Sequence, residues 1–462
     1  MKIVILTGLV CSLFVANSSF GRQSPNVLFI AVDDLRPQLG TYGHDFMVTP
    51  HMDKLASEGR QFDRHYVHAP TCGASRYALW SGQLPKSGLS QGNGAFKLYA
   101  QGRAPKSLPQ LFRESGYRTV QVGKLSHAPD GYLHRFTDGR YYPAGDQLEL
   151  PEAWDEISSR PGKWETPWFA FFGYDGGDTR RPGFRPPFES ADVDDQGYPD
   201  ALLADEAVKQ LRQLNNLDQP FFLALGFYRP HLPFNAPQKY WDLYDRDAID
   251  ISDVDPLRRK GGEFWGYDHK PSQAADPDYV RTLRHAYYAA TSYTDAQIGK
   301  VLDELDELGL REDTIVVLWG DHGYHLGELG YWGKHTLHEY SLQSPLIVRT
   351  PAAHHAGQAA DALVATVDIY PSLVELAGLP MPDHLDGHSF VPVLKNPAAD
   401  TRDNVLSKTS LRTDRYRLIG DNQLYDHQTD PGETTNVAAE KPAVVVKLKA
   451  LRQEVLEKRK AR

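Results

Sequence analysis

The sequence predicts an α/β protein: a large, mostly parallel central sheet with helices on both faces, and a smaller C-terminal α+β subdomain. Three observations carry this reading. Apolar, β-rich runs alternate with amphipathic helical stretches along most of the 462 residues, the pattern of parallel strands joined by crossover helices. Polar residues able to do chemistry sit just past the ends of those runs, where open α/β sheets bind ligands. The alternation then stops near Leu394 to Arg402, and a shorter pattern of strands and one helix replaces it. Single cores rarely grow past roughly 250–300 residues, so a second unit fits the length.

Taken in order, Asn26 to Val32 is an apolar strand ending in Asp33-Asp34. Thr49-Pro50 opens a helix that runs to about Glu58 and stops at Gly59. Ser107 caps a helix with Leu108, Leu111 and Phe112 on one face and Gly116 at its end. Tyr117 to Val122 follows as a strand. A helix over Ala201 to Leu214 leads into the strand Phe221 to Gly226. An amphipathic helix over Tyr279 to Leu308 precedes the strand Thr314 to Trp319. Ser344 to Val348 reads as a strand, and Val367 to Ala377 as a helix closed by Gly378. These elements place a main domain over residues 22–394 and the α+β unit over 395–462. That unit has strands around Tyr416 to Gly420 and Gln423 to Asp426, the turn-rich DPGETTN, and a helix from Pro442 to Lys458.

Residues 135–198 break the alternation with Pro, Gly, Trp, Arg and Asp, as in DTRRPGFRPP. They read as an insertion near the active-site rim. It is either a solvated loop or a substrate lid with Arg180, Arg181 and Arg185 facing an anion.

The formal net charge of -10 argues against a nucleic-acid binder, but leaves room for a small basic pocket. Lys2, the apolar run Ile3 to Val15, and the small residues Ser19 and Gly21 read as a signal peptide over residues 1–21. That run is too short to span a bilayer, and no later stretch is long and apolar enough to do so. The mature chain is therefore expected to be periplasmic or secreted. Of two cysteines, Cys11 lies in the signal peptide. Cys72 is then alone, and no intramolecular disulfide is possible. A free thiol is a liability in an oxidising compartment. It is either buried and inert or chemically employed, and the small residues of TCGASR, ending in Arg76, do not read as a core run.

Asp33 and Asp34 are adjacent carboxylates at a strand end, and a hard divalent cation is their natural partner. Asp321 and His322, in WGDHGYH, end another strand. Calcium prefers oxygen, which makes His322 a less secure ligand than the three aspartates. Lys124 and His127 in GKLSH, His231 in FYRPHLPF and Lys334 in YWGKH lie after strands or in Gly/Pro-rich loops. Arg76, Lys124 and Lys334 form a set able to clamp a tetrahedral anion.

With these residues the chain resembles the type I sulfatases, relatives of alkaline phosphatase. Their signature is Cys or Ser, any residue, Pro or Ala, any residue, Arg. Here it is Cys72, Gly73, Ala74, Ser75 and Arg76, followed by YALWSGQLP. VDD early, GK in the middle and DHG late keep the family's order, and the resemblance extends to LYDHQTDPGETTN near the end. It is nearest to iduronate-2-sulfatases through VDDLRPQLG, VGKLSH, FFLALGFYRPHLPF, DHGYHLGELGYWGKH and VDIYPSLVELAGL.

The resemblance implies the alkaline-phosphatase/sulfatase fold and an exported hydrolase of O-sulfate esters on a sulfated carbohydrate, such as a 2-O-sulfated uronate. It implies that a formylglycine-generating maturation enzyme oxidises Cys72 to Cα-formylglycine, whose hydrate attacks sulfur. Asp33, Asp34, Asp321, His322 and residue 72 are the implied ligands of calcium, with magnesium as the alternative. Arg76 and His127 are implied to hold the gem-diol, and Lys124 and Lys334 the sulfate oxygens. The helix after Cys72 aims N–H groups at the anion. His231 is the candidate acid for the leaving oxygen, with Lys334 as its rival. Two other readings stand beside this one. A phosphoester or phosphonate hydrolase of the same superfamily generally uses Thr or Ser, and Thr71 is one residue out of register. A non-catalytic glycan-binding protein is disfavoured by the completeness of the set.

Overall fold

A computed structural model describes residues 24–461 except 87, 138–139, 181–182, 255–263, 265 and 352–354. The expected signal peptide and Arg181 lie outside the described residues. Eight strands form the central sheet. They are β1 (Asn26–Val32), β2 (Arg60–Tyr66), β3 (Arg118–Gly123), β4 (Glu156–Ser158), β5 (Phe221–Phe227), β6 (Thr314–Gly320), β7 (Leu346–Arg349) and β8 (Ala360–Ala365). Their spatial order is β8-β2-β7-β6-β1-β5-β3-β4. β1 lies between β6 and β5, both parallel to it, with Val32 opposite Gly320 and Phe227. β3 is parallel to β5 and β4, and β8 to β2. Only β7 is reversed, pairing antiparallel with β6 and β2.

Helices cover both faces. They are α1 (Pro50–Glu58), α2 (Cys72–Ser81), α3 (Leu108–Glu114), α4 (Pro167–Phe171), α5 (Pro199–Leu214), α6 (Pro277–Glu307) and α7 (Ile369–Leu376). Every residue of β1, β5 and β6 is buried, as covering on both faces requires. Alternate β1 side chains feed two cores. Val27, Phe29 and Ala31 pack with Trp80 of α2, Phe112 of α3 and Leu373 of α7. Leu28, Ile30 and Val32 pack with Leu55 of α1, Leu211 of α5 and Val301 of α6.

The central-sheet strands that the sequence reading did not identify are β2, β4 and β8, and in the C-terminal unit it missed Asn404–Ser407 and Ser410–Thr413. β2 reads RQFDRHY, and its buried polar members Gln61 and His65 are hydrogen-bonded, His65 through Nδ1 to the Ser344 carbonyl at 3.0 Å. C-terminal to the main sheet, β9 (Asn404–Ser407), β10 (Ser410–Thr413), β11 (Tyr416–Ile419) and β12 (Gln423–Asp426) form an antiparallel sheet. Helix α8 (Pro442–Ala461) packs on it through Leu448, against Leu406, Leu411, Leu418 and Leu424. Among the described residues, no helix is long and apolar enough to cross a membrane.

Candidate active site

Four adjacent parallel strands, β6-β1-β5-β3, end on one edge of the sheet. Asp321-His322, Asp33-Asp34, His231, and Lys124 with His127 follow those ends in that order. The ladder continues past the strands. Asp33 N–H donates to the Phe227 carbonyl at 3.3 Å, Asp321 N–H to the Val32 carbonyl at 3.3 Å, and Lys124 N–H to the Gly226 carbonyl at 3.0 Å. A Cβ at position 226 would stand 2.0 Å from the Lys124 carbonyl oxygen, so only glycine permits this approach.

On an extended strand, Asp33 and Asp34 would face opposite ways. Asp34 instead has φ 60°, a left-handed conformation uncommon outside glycine, which turns both carboxylates into one site. Its N–H donates to Asp321 Oδ1 at 3.0 Å, and the Tyr287 hydroxyl donates to its carbonyl at 2.8 Å. Cys72 is the first residue of α2, and Arg76 lies one turn later on the same face. Arg76 Nε donates to Asp321 Oδ2 at 3.0 Å and Nη1 to the Lys124 carbonyl, while Nη2 lies 3.7 Å from Asp33 Oδ1. The Gly73 N–H is held by Asn93 Oδ1 at 3.0 Å.

Ligand atoms of Asp33, Cys72, Asp321 and His322 all lie within 4.8 Å of one another, and all four residues are buried. Oxygen ligands on opposite sides of a calcium ion are about 5 Å apart, so the cluster has the right size for such a cation. Its donors fit as well. His322 Nδ1 faces the Gly323 carbonyl at 3.0 Å. A carbonyl only accepts, so Nδ1 carries the proton and Nε2 the lone pair. Nε2 lies 3.3 Å from Cys72 Sγ, 3.4 Å from Asp34 Oδ1 and 3.6 Å from Asp321 Oδ1. In the unmatured chain that lone pair accepts the Cys72 S–H, and its place among carboxylate oxygens also suits a metal ligand. Asp33 Oδ1 is buried without a hydrogen-bond partner, an unmet requirement that a cation would satisfy.

Burial opposes ionisation of Asp33, but Lys124 and Arg76 outweigh it and hold this carboxyl well below its usual range. Burial and the neighbouring Asp33 push Asp321 up, the expected conflict of close carboxylates. Burial, then Asp33, pushes the Cys72 thiol well up. A bare cysteine here stays protonated and is a poor nucleophile.

Lys124 Nζ pairs with Asp33 and lies 4.1 Å from the centre of the Phe171 ring. Lys334 Nζ is 2.6 Å from Asp34 Oδ1 and 3.2 Å from Cys72 Sγ. His231 Nδ1 donates to the Leu232 carbonyl at 2.7 Å, leaving Nε2 to face Asp34 Oδ2 at 3.8 Å. His127 Nδ1 is buried with no hydrogen-bond partner, and its ring meets Trp168 edge-on at 5.8 Å. Burial, then Lys124, pushes His127 down to about 3. Asp33, Asp34, Arg76, Asp321 and His322 are fully buried, whereas the His231 side chain is 14% exposed.

All ten residues singled out from the sequence thus meet at one edge. The deciding comparison follows from the whole chain: the profile of the Sulfatase family matches residues 25–379. The chain belongs to the sulfatase family. It is a type I sulfatase, a sulfuric ester hydrolase. A second profile, N-sulphoglucosamine sulphohydrolase, C-terminal, matches residues 327–461. The sulfatase is 32% identical to a sulfatase of Formosa agariphila over 90% of this chain and 83% of the relative. It is 30% identical to human iduronate 2-sulfatase over 81% of this chain and 72% of the relative. Its fold matches the phosphonate monoester hydrolase of Agrobacterium radiobacter with a TM-score of 0.74, 23% identity and coverage of 94% and 95%.

Several residues of the sulfatase site were not singled out in advance. Helix α4, capped by Thr166, brings Trp168, Phe171 and Phe172 from the 135–198 segment to the site. Phe171 and Phe172 lie 4.6 and 6.0 Å from the His231 ring. Arg229, fully buried, donates to the carbonyls of Phe171 at 3.0 Å, His231 at 3.3 Å and Gly173 at 3.3 Å, tying the aromatic wall to the His231 loop. Glu149 Oε2 accepts the Ala128 N–H at 2.7 Å, fixing the residue beside His127. The aromatic density of WETPWFAFFG was a visible signal for the wall; nothing in the sequence marked Arg229 or Glu149. Arg185 pairs with Asp178 at 2.6 Å and Glu189 at 3.2 Å. A second acidic cluster, Glu339, His427 and Glu433, already holds the buried Arg417, whose Nε is 2.5 Å from Glu433 and whose Nη2 pairs with Glu339.

Proposed function

We propose that this sulfatase is an exported, calcium-dependent enzyme that hydrolyses O-sulfate esters of a carbohydrate, a 2-O-sulfated uronate or similar sugar. In this reading a formylglycine-generating enzyme first oxidises Cys72, and the mature protein works in the periplasm or outside the cell. The observation that carries it is the burial of Cys72 at a helix start among Asp33, Asp321 and His322, with Arg76 and Lys334 against it. The similarity to iduronate 2-sulfatases supports the substrate class.

In the mature protein, the position of Sγ corresponds to the two hydroxyls of a hydrated aldehyde. Those hydroxyls supply an oxygen to attack sulfur and a second one to expel sulfate afterwards, and the cation supplies positive charge. Asp33, Asp34, Asp321 and His322 hold that cation. Arg76, fixed by Asp321 and the Lys124 carbonyl, orients the nucleophile. Lys124 and Lys334 exchange their carboxylate partners for the oxygens of the sulfuryl group as charge develops there. His231 Nε2 is placed beside the departing sugar oxygen and delivers a proton there only from the doubly protonated ring, because the Nδ1 proton is held by the Leu232 carbonyl and burial, then Lys334, favours the neutral form. Phe171 and Trp168 exclude water beside Lys124 and His127.

The test joins mass measurement of the Cys72 peptide with sulfate release from 2-O-sulfated uronate disaccharides, sulfated galactose and fucose units, and phosphate esters. Formylglycine, with release from sulfated sugars that Cys72→Ala abolishes, is the expected result. Release from another sugar alone would discard the uronate. Phosphate release without sulfate release would replace the reading with phosphoester hydrolysis. Glycan binding without turnover in either form would make the chain a binding protein.

A further inference from the structure

His231 stands just past β5, at the end of the turn Tyr228-Arg229-Pro230-His231. Its N–H closes that turn on the Tyr228 carbonyl at 3.0 Å, and its Nδ1 donates to the Leu232 carbonyl at 2.7 Å. Ring and backbone are thereby locked together, so the ring goes where the turn goes. The place of Nε2, 3.8 Å from Asp34 Oδ2, is set by whatever holds the turn.

Two side chains from helices distant in sequence hold it. Asp200 is the second residue of α5 and is fully buried, with its carboxylate in the first turn, where the helix dipole favours it. Its Oδ1 accepts the N–H groups of Tyr228 at 2.7 Å and Arg229 at 3.0 Å. One oxygen that takes two consecutive N–H groups fixes the direction of both peptide planes. Thr294, fully buried in α6, shares its hydroxyl proton between the carbonyls of Arg229 at 3.1 Å and Ala290 at 3.0 Å. The backbone of Arg229 is thus held at its N–H by one helix and at its C=O by another. Removal of Asp200 leaves two buried N–H groups without their acceptor, and the turn must shift to satisfy them.

We propose that Asp200 and Thr294 are positioning residues for the leaving-group step: they clamp the Tyr228–His231 turn and so set His231 Nε2 against the ester oxygen. This rests on the reading of His231 as the acid. In that step the sulfur–oxygen bond breaks with its electron pair on the sugar oxygen, the oxygen takes the Nε2 proton, and the imidazole is left neutral. Both clamp residues act through the turn alone. A misplaced acid harms most the leaving oxygen that most needs a proton, so a sugar alkoxide suffers and a 4-nitrophenolate hardly does. A residue that merely supports the fold would lower turnover of every ester alike.

The experiment uses matured protein and the variants Asp200→Ala, Asp200→Asn, Thr294→Val, His231→Ala and the double variant D200A/H231A. Substrates are 4-nitrophenyl sulfate, phenyl sulfate and a 2-O-sulfated uronate disaccharide; the two aryl esters alone give the dependence on leaving group if another sugar is preferred. A displacement near 1 Å implies a loss of about 100-fold in kcat/KM for D200A on the disaccharide, with phenyl sulfate intermediate and 4-nitrophenyl sulfate within about 3-fold of wild type. D200N keeps Oδ1 and puts its amide where Oδ2 has no hydrogen-bond partner, so it should recover most of that loss. T294V, of nearly the same shape, should show the same pattern with a smaller loss, and it carries the comparison if D200A does not fold. D200A/H231A should fall no more than about 3-fold below H231A on the disaccharide, because both changes act on one group. Equal losses across the leaving groups, or no loss in whichever of D200A and T294V are folded, overturn the clamp and leave His231 as the acid. An H231A loss that is the same on all three esters overturns the acid reading, and the clamp with it.

Discussion

Gly73 occupies a position that the family signature leaves open, yet this chain cannot accept a side chain there. A Cβ on Gly73 would lie 2.5 Å from Asn93 Cα, 2.9 Å from Asn93 O and 3.0 Å from Asn93 C. All three are backbone atoms, so no side-chain rotation relieves the clash. Gly73→Ala gains about 0.5–1 kcal/mol of helix propensity. Overpacking a close-packed site costs about 1–3 kcal/mol, so the net change is destabilising by about 1 kcal/mol. That corresponds to a Tm fall of about 2–4 °C for a domain of 150–250 residues, and less for this longer chain. Activity suffers more. Relief of the clash moves the first turn of α2 away from Asn93, and Cys72 and Arg76 move with it against Asp33 and Asp321. A displacement near 1 Å at reacting groups costs about 100-fold. The assay is sulfate release per mole of formylglycine, with conversion measured on each preparation so that poor maturation is not counted as poor catalysis. A G73A protein with raised Tm and unchanged turnover per converted site would refute the packing argument.

Three further predictions follow from the buried charges. Asp33→Asn removes a cation ligand: wild type at a calcium concentration 100 times its Kd gains about 2.7 kcal/mol of stability over the chelated form, and D33N loses most of that gain in calorimetry. A full calcium response in D33N would dismiss Asp33 as a ligand. Burial raises the Glu149 carboxyl to about 7 from its ordinary 4.5, so its contribution is complete below pH 4.5 and is lost as pH rises through about 7, a swing of at most about 3 kcal/mol. Denaturant unfolding at pH 5 and pH 8 should show a flatter pH dependence in Glu149→Gln, and identical slopes would disprove the assignment. Arg417→Met removes the guanidinium that bridges Glu339 and Glu433, leaving them Arg412, His338 and His427 as partners, at a cost of at most about 3–5 kcal/mol; a thermal transition unmoved by the substitution would show that this network does not hold the C-terminal sheet to the main domain.

The parallel core was legible because strands buried on both faces write themselves as unbroken apolar runs, as in FFLALGF of β5 and TIVVLWG of β6. The site was legible for a related reason: residues just past parallel strands must share an edge, so Asp33, Lys124 and Asp321 could be gathered from the sequence alone. β2 was hidden because its polar residues are satisfied by partners far away in sequence, such as Ser344 for His65. The φ of Asp34 was hidden too, since nothing local distinguishes an aspartate that continues a strand from one that turns out of it. Arg229 and Glu149 act through backbone carbonyls and an N–H group, which any residue supplies, so no sequence pattern marks their partners.

The balance of charge in the site restricts the ester it accepts. Asp33, Asp34 and Asp321 face Arg76, Lys124 and Lys334 within ion-pairing distance, so the described site is near neutral before any cation or substrate arrives. The divalent cation proposed above would make it positive by two charges. A deprotonated nucleophile and a sulfate monoester, one negative charge each, restore neutrality; an unbalanced charge at 4 Å costs about 4 kcal/mol even at an effective dielectric of 20. A phosphate monoester brings two charges at neutral pH and overshoots by one, whereas a phosphodiester or phosphonate monoester brings one. Among phosphorus analogues with one aryl leaving group, the singly charged esters should therefore be cleaved faster than the doubly charged monoester. The comparison is kcat/KM for 4-nitrophenyl sulfate, methyl 4-nitrophenyl phosphate and 4-nitrophenyl phosphate. A phosphate monoester turned over as fast as the sulfate would mean that the cations are not matched to a single negative charge, and that Lys124 and Lys334 remain with Asp33 and Asp34 when substrate binds.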